Sequence, residues 1–263
     1  MNLVILSRKE VADGRRIVLA DRRAAHIADV LHPAPGDAIR VGVEGGKVGT
    51  ATVAKIADGK VTLEAPHLTR NPPAPWFDIV LAVPRPKVLH RLWAPLASLG
   101  VRRIILVNAA KVEKFYFDTH WLAPDAYVPL LLEGLEQAST TTLPEVLVRR
   151  AFRPFVEDEV ARDYADAPKF VAHPRLGGDG CAVTGFSQNP APGAPLPLMA
   201  VGPEGGWTDF ELDLLFKADF KPLTLGDRAL RTDIACAALA GALAGAFCSR
   251  NQDLPTANPP PSA

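Results

Sequence analysis

The apolar positions along this chain change their period once, and the change divides it. Residues 3–6, 16–19, 38–43, 48–56 and 61–63 are short β-type runs, separated by turn residues at Pro35-Gly36-Asp37, Gly45-Gly46 and Asp58-Gly59. Between the second and third runs, residues 21–31 place Ala25, Ile27, Ala28, Val30 and Leu31 at helical spacing. The pattern predicts a small β-barrel with one inserted helix. Residues 67–76 (HLTRNPPAPW) then break every period with three prolines and read as a stiff connection. Beyond them strand and helix alternate, with strands over 77–83, 103–107, 145–148 and 169–172 and helices over 86–99, 125–138 and 154–164. Such alternation predicts an α/β fold with a parallel sheet and right-handed crossovers. The expected organisation is a small β domain over 1–70, a linker over 71–76, an α/β domain over 77–250 and a disordered tail over 251–263, where no apolar period survives.

Two further units close the α/β domain. Residues 196–201 (LPLMAV) read as a buried strand, the glycines of Gly202-Pro203-Glu204-Gly205-Gly206 allow a sharp turn, and Thr208-Asp209-Phe210-Glu211 has the form of a capping box. Pro222-Leu223-Thr224-Leu225 leads in the same way through Gly226 to an Ala-rich helix that begins near Thr232. Two such turns side by side make a cleft lined by backbone amides and helix N-termini, which suits a small polar cofactor. Residues 174–195, rich in Gly and Pro, are long enough for either a mobile flap near that cleft or a surface insertion.

Composition narrows the classes. With 263 residues, 48% of them hydrophobic, the chain can bury a sizeable core. Its net charge is zero, but the first 70 residues are mildly basic and the remainder mildly acidic, which permits a polyanionic partner at the N-terminal end. Cys181, Cys236 and Cys248 are too few and too scattered for a disulfide framework or a zinc site, so a reducing compartment and no metal are expected. The N-terminus lacks the basic start and cleavage site of a signal peptide, and no apolar run approaches the ~20 residues of a membrane span. A soluble, cytoplasmic protein with no membrane contact is the expectation. The glycine turns fall late in the domain, unlike the usual dinucleotide fingerprint, and no P-loop is present.

GPEGGWTDFEL followed by LGDRALRTDIA resembles the paired loops of the RsmE-type 16S ribosomal RNA uridine-N3 methyltransferases, members of the SPOUT superfamily. HIADVLHPAPGDAIRV, ASLGVRRI, LLEGLEQAS with Glu136-Gln137, LPEV and His173-Pro174 agree in the same order, so the resemblance runs from about Ala24 to Ala246. It implies a PUA-like RNA-binding N-terminal domain, a C-terminal domain tied in a trefoil knot, S-adenosylmethionine as cofactor, and a homodimer acting on ribosomal RNA or the small ribosomal subunit. The cofactor pocket it implies is formed by Ala172, His173, Val201, Gly202, Glu204, Gly205, Gly206, Leu225, Gly226, Arg228 and Leu230. His173 also reads as a strand end with no ligand contact. The implied RNA contacts are Arg22, Arg23, His32, Arg85, Lys87 and Arg91. A same-fold methyltransferase acting on another RNA or base position, or a non-catalytic RNA-binding assembly factor, is the alternative.

Methylating N3 of uracil requires loss of the N3 proton and stabilisation of negative charge on the ring. Arg231, just before the last helix, is the candidate for that stabilising role, because it stays protonated and offers a fork of donors. Asp233 or Glu204 would accept the proton, or simply complement a helix N-terminus. Arg228 suits an RNA phosphate or an intersubunit carboxylate as well as the cofactor. The chain departs from the family at Pro95, Ser98, His32 and Asp233, and at Ser139, Thr140, Thr141 and Thr142, where a basic residue is usual. These departures fall at positions expected to face RNA, whereas the cofactor loops are kept.

Overall fold

The computed structural model describes residues 2–12, 16–173 and 191–248; the expected tail and most of the 174–195 loop lie outside them. The small domain opens with β1 (Val4–Leu6), α1 (Arg8–Ala12), β2 (Arg16–Leu19) and α2 (Arg22–His26), which runs into a π-helical turn at Ile27–Leu31. Three longer strands follow: β3 (Ala38–Val43), β4 (Val48–Ala57) and β5 (Lys60–Arg70). Their order in the sheet is β1-β3-β4-β5-β2. The edge strands β1 and β2 are not bonded to each other, yet Val4 and Leu6 of one share a core with Ile17 and Leu19 of the other. The sheet is therefore a curled half-barrel rather than a flat ribbon.

The proline-rich stretch begins later than its composition predicts. β5 continues to Arg70, because Pro66 falls at a register shift between the pairs Thr50–His67 and Thr52–Glu64, where no ladder donor is required of it. Only residues 71–76 remain as connection.

The larger domain is built on β6 (Phe77–Ala82), α3 (Pro86–Ser98), β7 (Val101–Val107), 3-10 turns at Lys114–Asp118 and His120–Leu122, α4 (Pro124–Ala138) and β8 (Glu145–Arg149). Then come α5 (Phe152–Pro154), a π-helical stretch (Phe155–Val160), α6 (Ala161–Asp163), β9 (Lys169–Ala172), β10 (Leu198–Val201), α7 (Asp209–Lys217), β11 (Phe220–Leu223) and α8 (Thr232–Cys248). The strands form one parallel sheet in the order β11-β9-β10-β6-β7-β8. β6 and β10 are buried at every residue, as strands covered on both faces must be; this is why β10 reads as an unbroken apolar run and β6 as one interrupted only by Asp78. Among the described residues no helix is long and apolar enough to cross a membrane.

The two domains share more than a linker. Leu3, Ile5 and Val48 of the small sheet belong to the core of the large domain. Glu136, buried at the end of α4, accepts the Ile5 N–H on its side chain and the Asn2 N–H on its carbonyl, and Arg22 reaches its carboxylate at 2.9 Å. Burial pushes this carboxyl above its ordinary range, against the pull of Arg22. Thr141, fully buried, accepts the Gly45 N–H on its carbonyl and donates its hydroxyl to Gly46 O at 2.6 Å, while the Thr140 hydroxyl donates to Pro73 O. Two of the residues that stand in place of a basic residue, Thr140 and Thr141, thus tie the linker and the small domain to the large one. Ser98 acts similarly within the large domain: its hydroxyl reaches Ala94 O and Gly134 O, joining α3 to α4.

Candidate functional site

The parallel register brings three strand ends level. Val201 of β10 pairs with Ala172 of β9, and Ala172 pairs on its other side with Leu223 of β11. The loops after these strands therefore leave the sheet together, beyond its carboxyl edge, where ligands of open α/β sheets bind. The two glycine turns are not immediate neighbours as a cleft of two units would have them. β9 lies between them, and the His173 N–H donates to Leu223 O to close that edge.

A cavity of about 400 Å³ lies there. Ala172, His173, Val201, Gly202, Glu204, Gly205, Gly206, Leu225, Gly226, Arg228 and Leu230 all line it. Lys111, Pro203, Trp207, Leu223, Ala229, Thr232, Ala235 and Leu239 complete the wall. Gly206 (φ +71°) and Gly226 (φ +95°) hold the two turns in backbone conformations that a side chain would strain. Leu225 and Leu230 line the cavity while remaining 42% and 41% exposed, so its walls include apolar surface that the chain itself leaves uncovered. Trp207 is buried below and packs on Phe152, with ring centroids 5.4 Å apart.

Each turn is braced from outside. The capping box forms as its sequence predicts, with Thr208 and Glu211 exchanging bonds, and the second Glu211 oxygen accepts the Ala110 N–H at 2.7 Å. That bond ties the N-terminus of α7 to the turn after β7. The Lys111 ammonium in the same turn donates to Gly205 O at 2.7 Å. Sequence reasoning missed Lys111, since nothing in the local pattern connects it with residues almost a hundred positions later. Glu204 accepts the Arg85 N–H at 3.3 Å, which places a carboxylate at the N-terminus of α3 as well as at the cavity.

Arg231 does not line the cavity, although Leu230 and Thr232 on either side of it do. Its guanidinium is exposed and donates to Asp233 at 2.7 Å, and Arg91 approaches the same carboxylate oxygen at 3.5 Å. Two arginines from α3 and from the start of α8 are thereby brought together beside the pocket. Arg85 and Lys87 are also exposed along the first turn of α3. Arg23 is placed otherwise: it is mostly buried and its donors go to Ile5 O, Glu10 and Asp21, which leaves it a structural brace rather than an RNA contact. Arg22 is half exposed and pairs with Glu136. His32 is exposed and ends the α2 turn in the left-handed region (φ +46°), with its N–H on Ile27 O.

Burial pushes the Cys236 thiol in α8 up to about 12, which removes it as a nucleophile at neutral pH. Among the described residues no three His, Cys, Asp or Glu side chains are grouped to hold a metal ion.

The RNA methyltransferase domain family matches residues 71–244. Ribosomal RNA small subunit methyltransferase E of Treponema pallidum (strain Nichols) is 29% identical over 249 residues, covering 94% of this chain and 92% of that protein. The protein of the same name from Synechocystis sp. is 28% identical over 219 residues, covering 82% and 68%. In fold, the chain is similar to the crystal structure of a ribosomal RNA small subunit methyltransferase E from Neisseria gonorrhoeae bound to S-adenosyl methionine. The TM-score is 0.68 at 22% identity, over 92% of this chain and 96% of that one.

Proposed function

This chain belongs to the RNA methyltransferase domain family, and from that premise we propose that it methylates N3 of a uridine in small-subunit ribosomal RNA with S-adenosylmethionine as donor. The observation that carries the proposal is the level register of Ala172, Val201 and Leu223, which gathers every kept cofactor position around one cavity. The cavity's volume lies within the ~300–1,000 Å³ usual for small ligands, and its glycine backbones and uncovered leucines match a ligand with a flat apolar ring and polar edges. Residues 201–206 and 225–230 would hold the adenosyl group through backbone groups and the walls of Val201, Leu225 and Leu230. When bound, the cofactor supplies an electrophilic methyl group on a sulfonium sulfur.

The chain's own task is to present the base. As N3 loses its proton, negative charge spreads over the two flanking carbonyl oxygens, and Arg231 offers a permanently charged fork of donors to them. Asp233 holds that fork in place and is itself engaged by two guanidiniums, so it serves as a positioning residue. Glu204, the carboxylate set at the cavity, takes up the N3 proton. Arg85, Lys87 and Arg91 extend the positive surface along α3 for the phosphate backbone. In this reading residues 1–70 are a PUA-like RNA-binding domain, 71–76 the linker and 77–250 the methyltransferase domain. The placement of β9 between β10 and β11 supports the trefoil knot of the family. In the same reading the enzyme works in the cytoplasm, where it would meet its ribosomal RNA.

The proposal extends to a homodimer. α8 is apolar on every side, and Ile234, Ala237 and Gly241 leave one stripe of it exposed at helical spacing. A second copy would cover that stripe. Light scattering should give the wild type twice the chain mass and Ile234→Asp the mass of one chain; a monomeric wild type refutes the dimer. For the cofactor, isothermal titration should show saturable binding of S-adenosylmethionine and S-adenosylhomocysteine to the purified protein. The absence of binding for both would falsify the pocket assignment.

A further inference from the structure

The turn after β7 was fastened to the cavity by Lys111 and Glu211, and it carries a feature that cofactor binding does not use. Phe115 is 62% exposed, although the turn that carries it is held by backbone and side-chain hydrogen bonds. Its neighbours Tyr116 and Phe117 are buried, and the Arg150 guanidinium lies 4.8 Å from the Phe117 ring centroid. Backbone bonds from Val112 to Ala109 O and from Tyr116 to Glu113 O close the turn, and Ala110 is held by Glu211. The Phe115 ring stands edge-on to the buried Tyr116, with centroids 4.8 Å apart. Exposed Lys114 precedes it, and exposed Lys111, four residues earlier, already lines the cavity.

A lone exposed aromatic ring needs no explanation. A ring on a turn closed by hydrogen bonds, with exposed Lys114 beside it and Lys111 joining the same turn to the pocket, has the makeup of a single-strand nucleic-acid site: a π face for a base and cations for its phosphates. Resting on the reading that the chain methylates RNA, we infer that Phe115 stacks against a base of the substrate next to the methylated one, with Lys111 and Lys114 meeting the adjoining phosphates. The flat ring accepts any base, so it holds the strand in place beside the pocket without selecting its sequence. An aliphatic side chain of similar bulk lacks the π face and does not substitute.

Steady-state methyl transfer to ribosomal RNA by the full-length protein tests this. Phe115→Ala should raise the KM for RNA about 5- to 150-fold, leave kcat within about twofold, and leave both S-adenosylmethionine affinity and the thermal midpoint unchanged. Phe115→Trp should restore the KM and Phe115→Leu should not. An unchanged KM in Phe115→Ala, or equal rescue by Leu and Trp, overturns the inference. Should the wild type transfer no methyl group to ribosomal RNA, the functional reading fails by itself, and the affinity for a labelled single-stranded ribosomal RNA oligonucleotide decides Phe115. Weaker binding by Phe115→Ala supports the platform; equal binding, or none by the wild type, overturns it.

Discussion

Arg231→Ala should lower methyl transfer about 100- to 1000-fold while S-adenosylmethionine affinity stays within about twofold, because donors aimed at developing oxyanions act chiefly in the transition state. The split follows from where the residue sits. Leu230 and Thr232 face the cavity, whereas the Arg231 guanidinium is 65% exposed outside it and is held by Asp233. Removing the guanidinium therefore leaves the cavity walls intact and strips a positive charge from the surface beside them. Arg231→Lys should recover only part of the loss, since an ammonium lacks the planar fork that bridges two acceptors. Single-turnover rates at saturating RNA, paired with cofactor titrations, separate the two effects. An Arg231→Ala protein with wild-type turnover would remove Arg231 from the mechanism.

Asp78→Ala carries the largest expected effect on stability, about 3–5 kcal/mol. The Asp78 carboxylate is fully buried at the start of β6 and is satisfied on every side: by Nε and Nη2 of Arg102, by the Arg103 N–H at 3.1 Å and by the Tyr164 hydroxyl at 2.7 Å. Its truncation leaves the buried Tyr164 hydroxyl and the Arg103 N–H without their acceptor and unpairs the half-exposed Arg102 guanidinium, and the cost is mainly that of the stranded partners. For a chain of this length the thermal midpoint should fall by about 6–20 °C. Asp78 sits at the opposite end of the strands from the cavity, which opens beyond Val201 and Leu223. Turnover per folded molecule should accordingly be preserved below the transition. A loss under 1 kcal/mol in urea titration would show that the network relaxes onto water and that the buried carboxylate is not the anchor described above.

What the amino-acid pattern revealed and concealed follows from which interactions are local. β6, β9 and β10 were legible because strands covered on both faces are predominantly apolar, with only Asp78 and Lys169 as exceptions near their starts, and the start of α7 because Thr208 and Glu211 cap it through bonds three residues apart. The positions expected to hold the cofactor came from likeness to a family, and they line one cavity because of a register that no period encodes. The insertion of β9 between β10 and β11 is a property of pairing between distant segments, so the cleft was expected from two neighbouring turns when three strand ends make it. The same distance hid Lys111, whose partner is Gly205, and Thr141, whose partners are Gly45 and Gly46. Arg23 looked like a free cation beside Arg22 because its acceptors, Glu10 and Ile5 O, come from earlier elements folded against it. The 3-10 turns at Lys114–Asp118 and His120–Leu122 are too short to show a helical period, and so Phe115 passed unnoticed.

The central claim is that the cavity at the ends of β9, β10 and β11 delivers a methyl group to N3 of a uridine in small-subunit ribosomal RNA. The most direct measurement incubates the purified protein with methyl-labelled S-adenosylmethionine and either small ribosomal subunits or naked 16S ribosomal RNA, then digests the RNA and separates its nucleosides. The account predicts label in N3-methyluridine and in no other nucleoside, and loss of that label in Arg231→Ala. Unlabelled RNA from both substrates, or label confined to a different nucleoside, would contradict it.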